Sequence, residues 1–344
     1  TMAFSRVLLA ACLAGLACSP SDAFSPTASP LLRGASRPAL SGARPHSPRQ
    51  GAAPRLAGGL RMGFFDVLKD LAMPTEIAYT ANTAPPVAQI DRALTWECGV
   101  SEIQDPRHPM EDAWFITEKE LGLFDGVSGA QKSSNPDELY SFQLASYTQR
   151  MIGSQYQKRR PIDLANALEF AVGALVDTMA LGATTAVLAH IDTSEEGFTT
   201  LKAVNVGDSG LTVVRQGEDG KLFIAFKTNP QMHYFNCPFQ LGGSSPDSPD
   251  QAAKVSVPLA SGDILVMGSD GLYDNVYDNQ ILDLLEYAKD QTPTEMAQAL
   301  CGYARQQQND PNVLVPYGVE AREAGQSFVG GKLDDTCVIV TKFY

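Results

Sequence analysis

The sequence predicts an α+β fold resting on antiparallel sheet, and three patterns carry that expectation. Apolar runs at 121–124 and 264–267 are too short and too evenly apolar for amphipathic helices, so they read as strands buried on both faces. Between them, short β-prone segments at 186–190, 201–206, 211–214 and 222–226 follow one another across Gly- and Asp-rich turns, which suits antiparallel neighbours. Helical patterns come in pairs outside that run, at 136–157 and 161–181 and again at 278–289 and 293–307.

With 344 residues, 44% hydrophobic and 19% charged, the chain can bury a sizeable core. Its net charge of −13 is uneven. Residues 1–61 carry seven Arg against Asp22 alone, a balance of +6 that leaves −19 on the remainder. An acidic body offers no basic footprint for phosphate backbones, so nucleic acid is excluded as a partner and bound cations are favoured. Of six Cys, Cys12 and Cys18 fall near the start, and Cys98, Cys237, Cys301 and Cys337 are far apart without a Cys-x-x-Cys. Neither a zinc site nor a disulfide framework is expected.

Arg6, the apolar run 7–17 and Ser21-Asp22-Ala23 give residues 1–23 the three parts of a secretory signal peptide, too short in its apolar part to span a bilayer. Residues 24–61 contain Ser, Pro, Ala and six Arg with no acid, the composition of a transit peptide. The joined pair resembles the two-part address of algae whose plastid lies inside extra membranes, and predicts a plastid destination. An ordinary secreted protein with a stalk is the alternative, disfavoured by the unpaired Cys and the acid-free Arg run. Residues 62–94 read as an amphipathic helix (GFFDVLKDLAM, 63–73) ended by Pro74, then a Pro/Thr/Ala-rich linker. Residues 95–344 are the expected folded domain. Asp177 interrupts the second helical pattern, so no membrane span is expected in the mature chain.

Within that domain, strands keep ending at acids. The run 264–267 leads through Gly268 to Asp270-Gly271 and Asp274, and 121–124 leads to Asp125-Gly126. The run 201–206 leads to Asp208, Glu111 and Asp112 open the strand at 113–116, and Asp334 precedes the strand at 337–341. For one Asp-Gly alone, a turn in which Asp270 and Asp274 cap amides and Asp278 N-caps the next helix is a sufficient reading. The repetition points instead to an all-oxygen cluster suited to Mg²⁺ or Mn²⁺. Two such ions can hold a phosphate and activate a water, which indicates phosphate-ester hydrolysis.

Six segments, RHPMED (107–112), LGLFDGVSG (121–129), GATTAV (182–187), VNVGDSG (204–210), LVMGSDGLYD (265–274) and GGKLDDTCVIV (330–340), follow in order. In that order they resemble the motifs of metal-dependent type 2C protein phosphatases. HYFNCPFQL (233–241), SDGLYDNVYD (269–278) and GGKLDD (330–335) are most similar to the branch holding the plant photosystem II core phosphatase and its mitochondrial relatives. The resemblance implies a four-layer α-β-β-α sandwich, two antiparallel sheets flanked by helix pairs. It implies hydrolysis of phosphoserine and phosphothreonine by a two-metal-activated hydroxide without a phosphoenzyme, with phosphoproteins, thylakoid proteins such as the photosystem II core among them, as partners. By motif, Asp125 would bridge both ions, the Gly126 carbonyl would bind one, and Asp270 and Asp334 would hold the other. Glu111, with Asp112 beside it, would reach the metal waters, and Asp208 and Asp274 would complete a weaker third metal site. Arg107 matches the phosphate-binding Arg. Val127 stands where many members have His, so the proton for the leaving oxygen would come from water on a metal or from another histidine, of which His108 and His233 are the candidates and His233 the one assigned. The alternative from another class is a pseudophosphatase acting as a binding subunit, which a lost core ligand would favour; none is lost.

Overall fold

The computed structural model describes residues 94–127, 135–176, 178, 180–243 and 245–344. The expected signal peptide, transit peptide, amphipathic helix and linker lie outside the described residues up to residue 93, as do Ser128 and Gly129 of the second motif.

Two five-stranded sheets carry the fold. The first runs β1 (Trp96–Ile103), β12 (Thr336–Phe343), β11 (Ile264–Gly268), β6 (Gly210–Gln216), β7 (Leu222–Lys227). The second runs β10 (Ala253–Pro258), β5 (Thr199–Val206), β4 (Ala186–Thr193), β3 (Glu120–Phe124), β2 (Ala113–Ile116). Every pairing in both is antiparallel, as the closely spaced strands require. Their facing sides make one core: Leu121, Leu123, Val187, Ile191 and Leu201 meet Leu211, Val213, Leu265, Met267 and Ile339. Burying each such side chain contributes about 1.5–3 kcal/mol.

The outer faces are covered too, which is why β3 and β11 are buried along their whole length. Helices α1 (Tyr140–Gln157) and α2 (Leu164–Leu175) lay Leu144, Ile152, Leu168 and Ala171 on Phe115, Leu188 and Val206 of the second sheet. On the first sheet, α5 (Pro293–Gln308) packs across β1 and β12, with α4 (Asp278–Tyr287) beside it. Gly99 permits that approach, since a Cβ there would stand 2.1 Å from the Thr294 nitrogen. The result is the expected four-layer sandwich.

Boundaries differ locally. Asp163 caps α2 by accepting from the Asn166 N–H at 3.0 Å, but the helix stops at Leu175 rather than 181. Asp278 is the first residue of α4 and pairs with Lys227 at 2.5 Å; Tyr277, not Asp278, is the cap. A hairpin of β8 (Met232–Tyr234) and β9 (Cys237–Pro238) and helices α3 (Asp270–Tyr273) and α6 (Pro316–Glu323) fall in stretches that carry no clear period, and edge strand β10 was not expected either. In α6 only Gly318 and Ala321 are buried, so no apolar stripe marks it. Cys98, Cys237, Cys301 and Cys337 are free thiols. Among the described residues no helix is long and apolar enough to cross a membrane.

Candidate active site

Sheet register brings the acids together. Gly268 at the end of β11 pairs with Gly210 at the start of β6, so Asp270 and Asp208 emerge from the same end of the sheet. Asp125 leaves β3 of the other sheet toward them. Asp125, Asp208 and Asp270 each present a carboxylate oxygen within 4.8 Å of the others.

The neighbouring motifs hold Asp125 in place. Its carbonyl accepts from the Thr185 N–H at 2.9 Å and the Thr184 hydroxyl at 2.7 Å. Its Oδ2 accepts from the Asp270 N–H at 3.2 Å and from Ser209 Oγ at 3.3 Å, and Ser209 Oγ pairs with Thr185 Oγ1 at 2.8 Å. Gly126 forms a bridge to Thr184. The two glycine-rich turns therefore brace Asp125, the first at its backbone carbonyl and the second at its carboxylate through Ser209. Gly271 has a related duty: a Cβ there would stand 1.9 Å from the Asp335 carbonyl, so only glycine lets α3 meet the entry of β12.

Asp335, which the sequence did not single out, organises the other wall. Its carboxylate accepts from the Asp105 N–H at 2.6 Å and the Glu111 N–H at 2.7 Å, pinning the loop that carries RHPMED. Arg107 Nε and Nη2 grip the carboxylate of fully buried Asp105 at 2.9 and 2.5 Å, and Nη2 also donates to the Leu333 carbonyl at 2.6 Å. That pairing raises the Arg107 pKa, so the guanidinium stays charged; its side chain is still 61% exposed. The Glu111 carbonyl accepts from Ser141 Oγ at 2.6 Å. Asp112 is buried, and its Oδ2 has no hydrogen-bond partner.

Negative charge is in excess here. Burial, and then repulsion from neighbouring carboxylates, pushes Asp125, Asp112 and Asp208 well above the usual carboxylate range. Burial raises Asp274 to about 7 and Asp334 to about 6, against the opposing pull of Lys332. Lys332 Nζ lies 2.5 Å from Asp270 Oδ2, 2.6 Å from Asp274 Oδ2 and 3.4 Å from Asp334 Oδ2. An oxygen-only donor set, three converging carboxylates and an unpartnered buried oxygen on Asp112 fit a hard divalent ion such as Mg²⁺ or Mn²⁺.

Of the acids expected from the sequence, the structure brings Asp125, Asp208 and Asp270 together and sets Asp270, Asp274 and Asp334 around Lys332. His233 is tied elsewhere: its Nε2 lies 3.0 Å from both oxygens of buried Asp247, and its ring stacks on Phe239 at 4.3 Å. His108 lies nearer the acids, its Nδ1 4.0 Å from Glu111 and 3.9 Å from Asp335. His190 is buried against Glu120 at 2.8 Å, a structural pair. Lys332 and Asp335 stood inside the GGKLDD motif and were legible as charged residues there; Asp105 carried no signal.

Known proteins supply the context. No protein-family model matches the chain. Probable protein phosphatase 2C 26 of Arabidopsis thaliana is 33% identical over 289 residues, covering 78% of this chain and 91% of its own length. Probable protein phosphatase 2C 55 of the same plant is 36% identical over 67% of this chain, which spans about half (47%) of that longer relative. Among solved structures, that of the photosystem II phosphatase PBCP superposes with a TM-score of 0.60 at 30% identity, covering 72% of this chain and 98% of that one.

Proposed function

The chain belongs to the type 2C protein phosphatases, metal-dependent serine/threonine phosphatases, and from that premise we propose how its carboxylate end divides the work. Asp125, Asp208, Asp270 and Asp334, with the Gly126 carbonyl, hold two divalent ions, Mg²⁺ or Mn²⁺. When bound, such ions polarise phosphoryl oxygens and lower the pKa of water. Arg107 presents its exposed edge to the phosphate while Asp105 and the Leu333 carbonyl fix its plane, the bidentate geometry that suits phosphate. Asp112 Oδ2, buried without a partner, and the Glu111 carboxylate would orient water beside the ions. With Val127 where many members have His, a proton for the leaving serine or threonine oxygen would have to come from water or from a histidine. His233→Ala tests the sequence expectation against its tie to Asp247: slower turnover on substrates with poor leaving groups would give His233 the role, and an unchanged rate would remove it from the mechanism.

The observation that carries this reading is the convergence of three strand-end carboxylates within 4.8 Å. Hydrolysis of a phosphothreonine peptide should require Mn²⁺ or Mg²⁺ and stop with EDTA and with Asp270→Asn. No turnover by folded chain in either metal would overturn it. No observation favours the binding-subunit reading.

For substrate and address, the proposal extends to thylakoid phosphoproteins of the photosystem II core class, acted on in the plastid stroma or at the membrane surface. Likeness to the photosystem II phosphatase PBCP supports the substrate class. The acid-free Arg-rich composition of 24–61 behind an apolar 7–17 supports 1–23 as signal peptide and 24–61 as transit peptide, with 62–94 leading to a catalytic domain at 95–344. A reporter fused to residues 1–61 should enter plastids; delivery to mitochondria would refute the address. Added to phosphorylated thylakoids, the enzyme should release phosphate from core proteins.

A further inference from the structure

The ammonium of Lys332 holds Asp274, one of the two carboxylates that the family resemblance assigns to a weak third metal ion, and its surroundings are built for it. Its three donors face Asp270, Asp274 and Asp334 at 2.5, 2.6 and 3.4 Å, and the side chain is only 18% exposed. The backbone is clamped on both sides of the residue: Asn275 Oδ1 accepts from the Lys332 N–H at 2.9 Å and Asn275 Nδ2 donates to its carbonyl at 3.0 Å. Asn275 is itself fully buried and anchored to the Gly271 carbonyl at 3.0 Å. Gly330, at φ +94°, and Gly331, where a Cβ would meet the Gln307 carbonyl at 2.1 Å, hold the preceding turn against α5. On the outer side the Tyr317 ring lies 5.1 Å from Nζ, at cation–π distance, and the Tyr317 N–H fixes the Asp274 carbonyl at 3.0 Å.

A buried lysine gripped this closely is part of the site rather than a surface side chain that has drifted in. Asp270 can serve both a metal and the lysine because it has two oxygens and Lys332 takes Oδ2. Asp274 is different. Its Oδ2 is taken by the ammonium, and a divalent ion on that oxygen, at about 2.0–2.1 Å, would stand directly against a fixed positive charge.

We propose that Lys332 supplies, as part of the chain, the positive charge a third ion would bring, so that the centre loads two divalent ions and Asp274 serves the lysine. The proposal rests on the reading above that Asp125, Asp208, Asp270 and Asp334 hold the ions. It makes Lys332 a positioning residue that sets metal stoichiometry and orients Asp270 and Asp274.

Metal counting tests it without turnover. The metal-stripped full chain is titrated with Mn²⁺ while free Mn²⁺ is followed by its electron paramagnetic resonance signal. The wild type and Lys332→Arg should each take up two ions, Lys332→Met should gain a third and weaker one, and adding Asp274→Asn to Lys332→Met should remove it. Three ions on the wild type, or no gain in a folded Lys332→Met chain, would overturn the proposal. Should thermal melting show Lys332→Met to be unfolded, Asp274→Asn alone decides: two ions retained supports the lysine's role, and an ion lost overturns it. A wild-type chain that binds no Mn²⁺ would instead refute the metal reading on which the proposal stands, a result distinct from binding three.

Discussion

The two ends of strand β11 each carry a carboxylate next to a cation, Asp263 just before the strand and Asp270 just after it. At Asp263 the match is complete. Arg215 donates from Nε at 2.7 Å and from Nη2 at 2.6 Å, the Ala260 N–H adds a third bond at 2.9 Å, and the carboxylate is fully buried. At Asp270 the match is not made: Asp125, Asp208, Asp274 and Asp334 crowd the same region, and Lys332 reaches three of the carboxylates. A buried carboxylate with its own cation is a structural rivet, whereas a surplus of them, held apart only by backbone braces, is a site that a cation completes.

The largest effect should come from breaking the rivet. Asp263→Ala leaves the mostly covered Arg215 guanidinium with the Pro258 carbonyl as its remaining partner and should cost about 3–5 kcal/mol in urea unfolding, with much of the loss recovered by adding Arg215→Met. A cost under about 1 kcal/mol would show that the pair is no more than a surface-type bridge. At the other end of the strand, Asp270→Asn should lower turnover by more than about 100-fold while costing the metal-free chain far less stability than Asp263→Ala, because it also relieves repulsion of Asp125 and Asp208. Equal destabilisation by the two substitutions would erase the distinction between rivet and site.

Arg107→Ala should act next most strongly and through binding. Losing a charge-assisted contact to phosphate is worth about 1.5–3 kcal/mol, or roughly tenfold to 150-fold in KM, with the unfolding midpoint little changed. A change in kcat alone would assign Arg107 a different part.

The smallest effect is a slope with pH. Asp274, near 7, and Asp334, near 6, are both raised above their ordinary 3.8, so between roughly pH 4 and 7 the metal-free native state binds more protons than the unfolded chain. Their contribution is fully present below about pH 4 and is lost as pH rises through 6 to 7, so thermal stability should fall across that window. Asp112, Asp125 and Asp208, raised further still, and His108, raised above its ordinary 6.5, add to the same fall, whereas Glu120 and Asp105, which are lowered, act in the acid range below their ordinary values. Saturating Mn²⁺ should reverse the slope, because metal binds the deprotonated carboxylates. A slope of one sign with and without Mn²⁺ would separate these acids from the metal.

Much of this was legible because it is local. Residues 121–124 and 264–267 announce fully buried strands by their uniform apolarity, and a strand buried on both faces requires covering layers. The acids behind them are conspicuous for being placed where burial is costly. What escaped detection has no local signature. Strand β10 is the exception, since half-buried Ala253, Val255 and Val257 alternate with exposed Lys254, Ser256 and Pro258, a period of two that sequence reading passed over in a short edge strand. The β8–β9 hairpin and one-turn α3 are too short for any period to show.

At the site, residue type and order alone determined that the chain carries an oxygen-rich, acid-terminated set of strands fit for divalent cations, because carboxylates at strand ends are visible in one dimension. Only the tertiary structure decided how they are shared. Register between β6 and β11 groups Asp208 with Asp270, while the clamp of Asn275 on Lys332 delivers an ammonium to Asp274 from 58 residues away. Asp335 and Asp105 likewise look like two more acids in the chain, and become the support of Arg107 only when β12 meets the loop after β1. Partnership among buried charges depends on distances of a few ångströms across the fold, and such distances have no expression in sequence spacing.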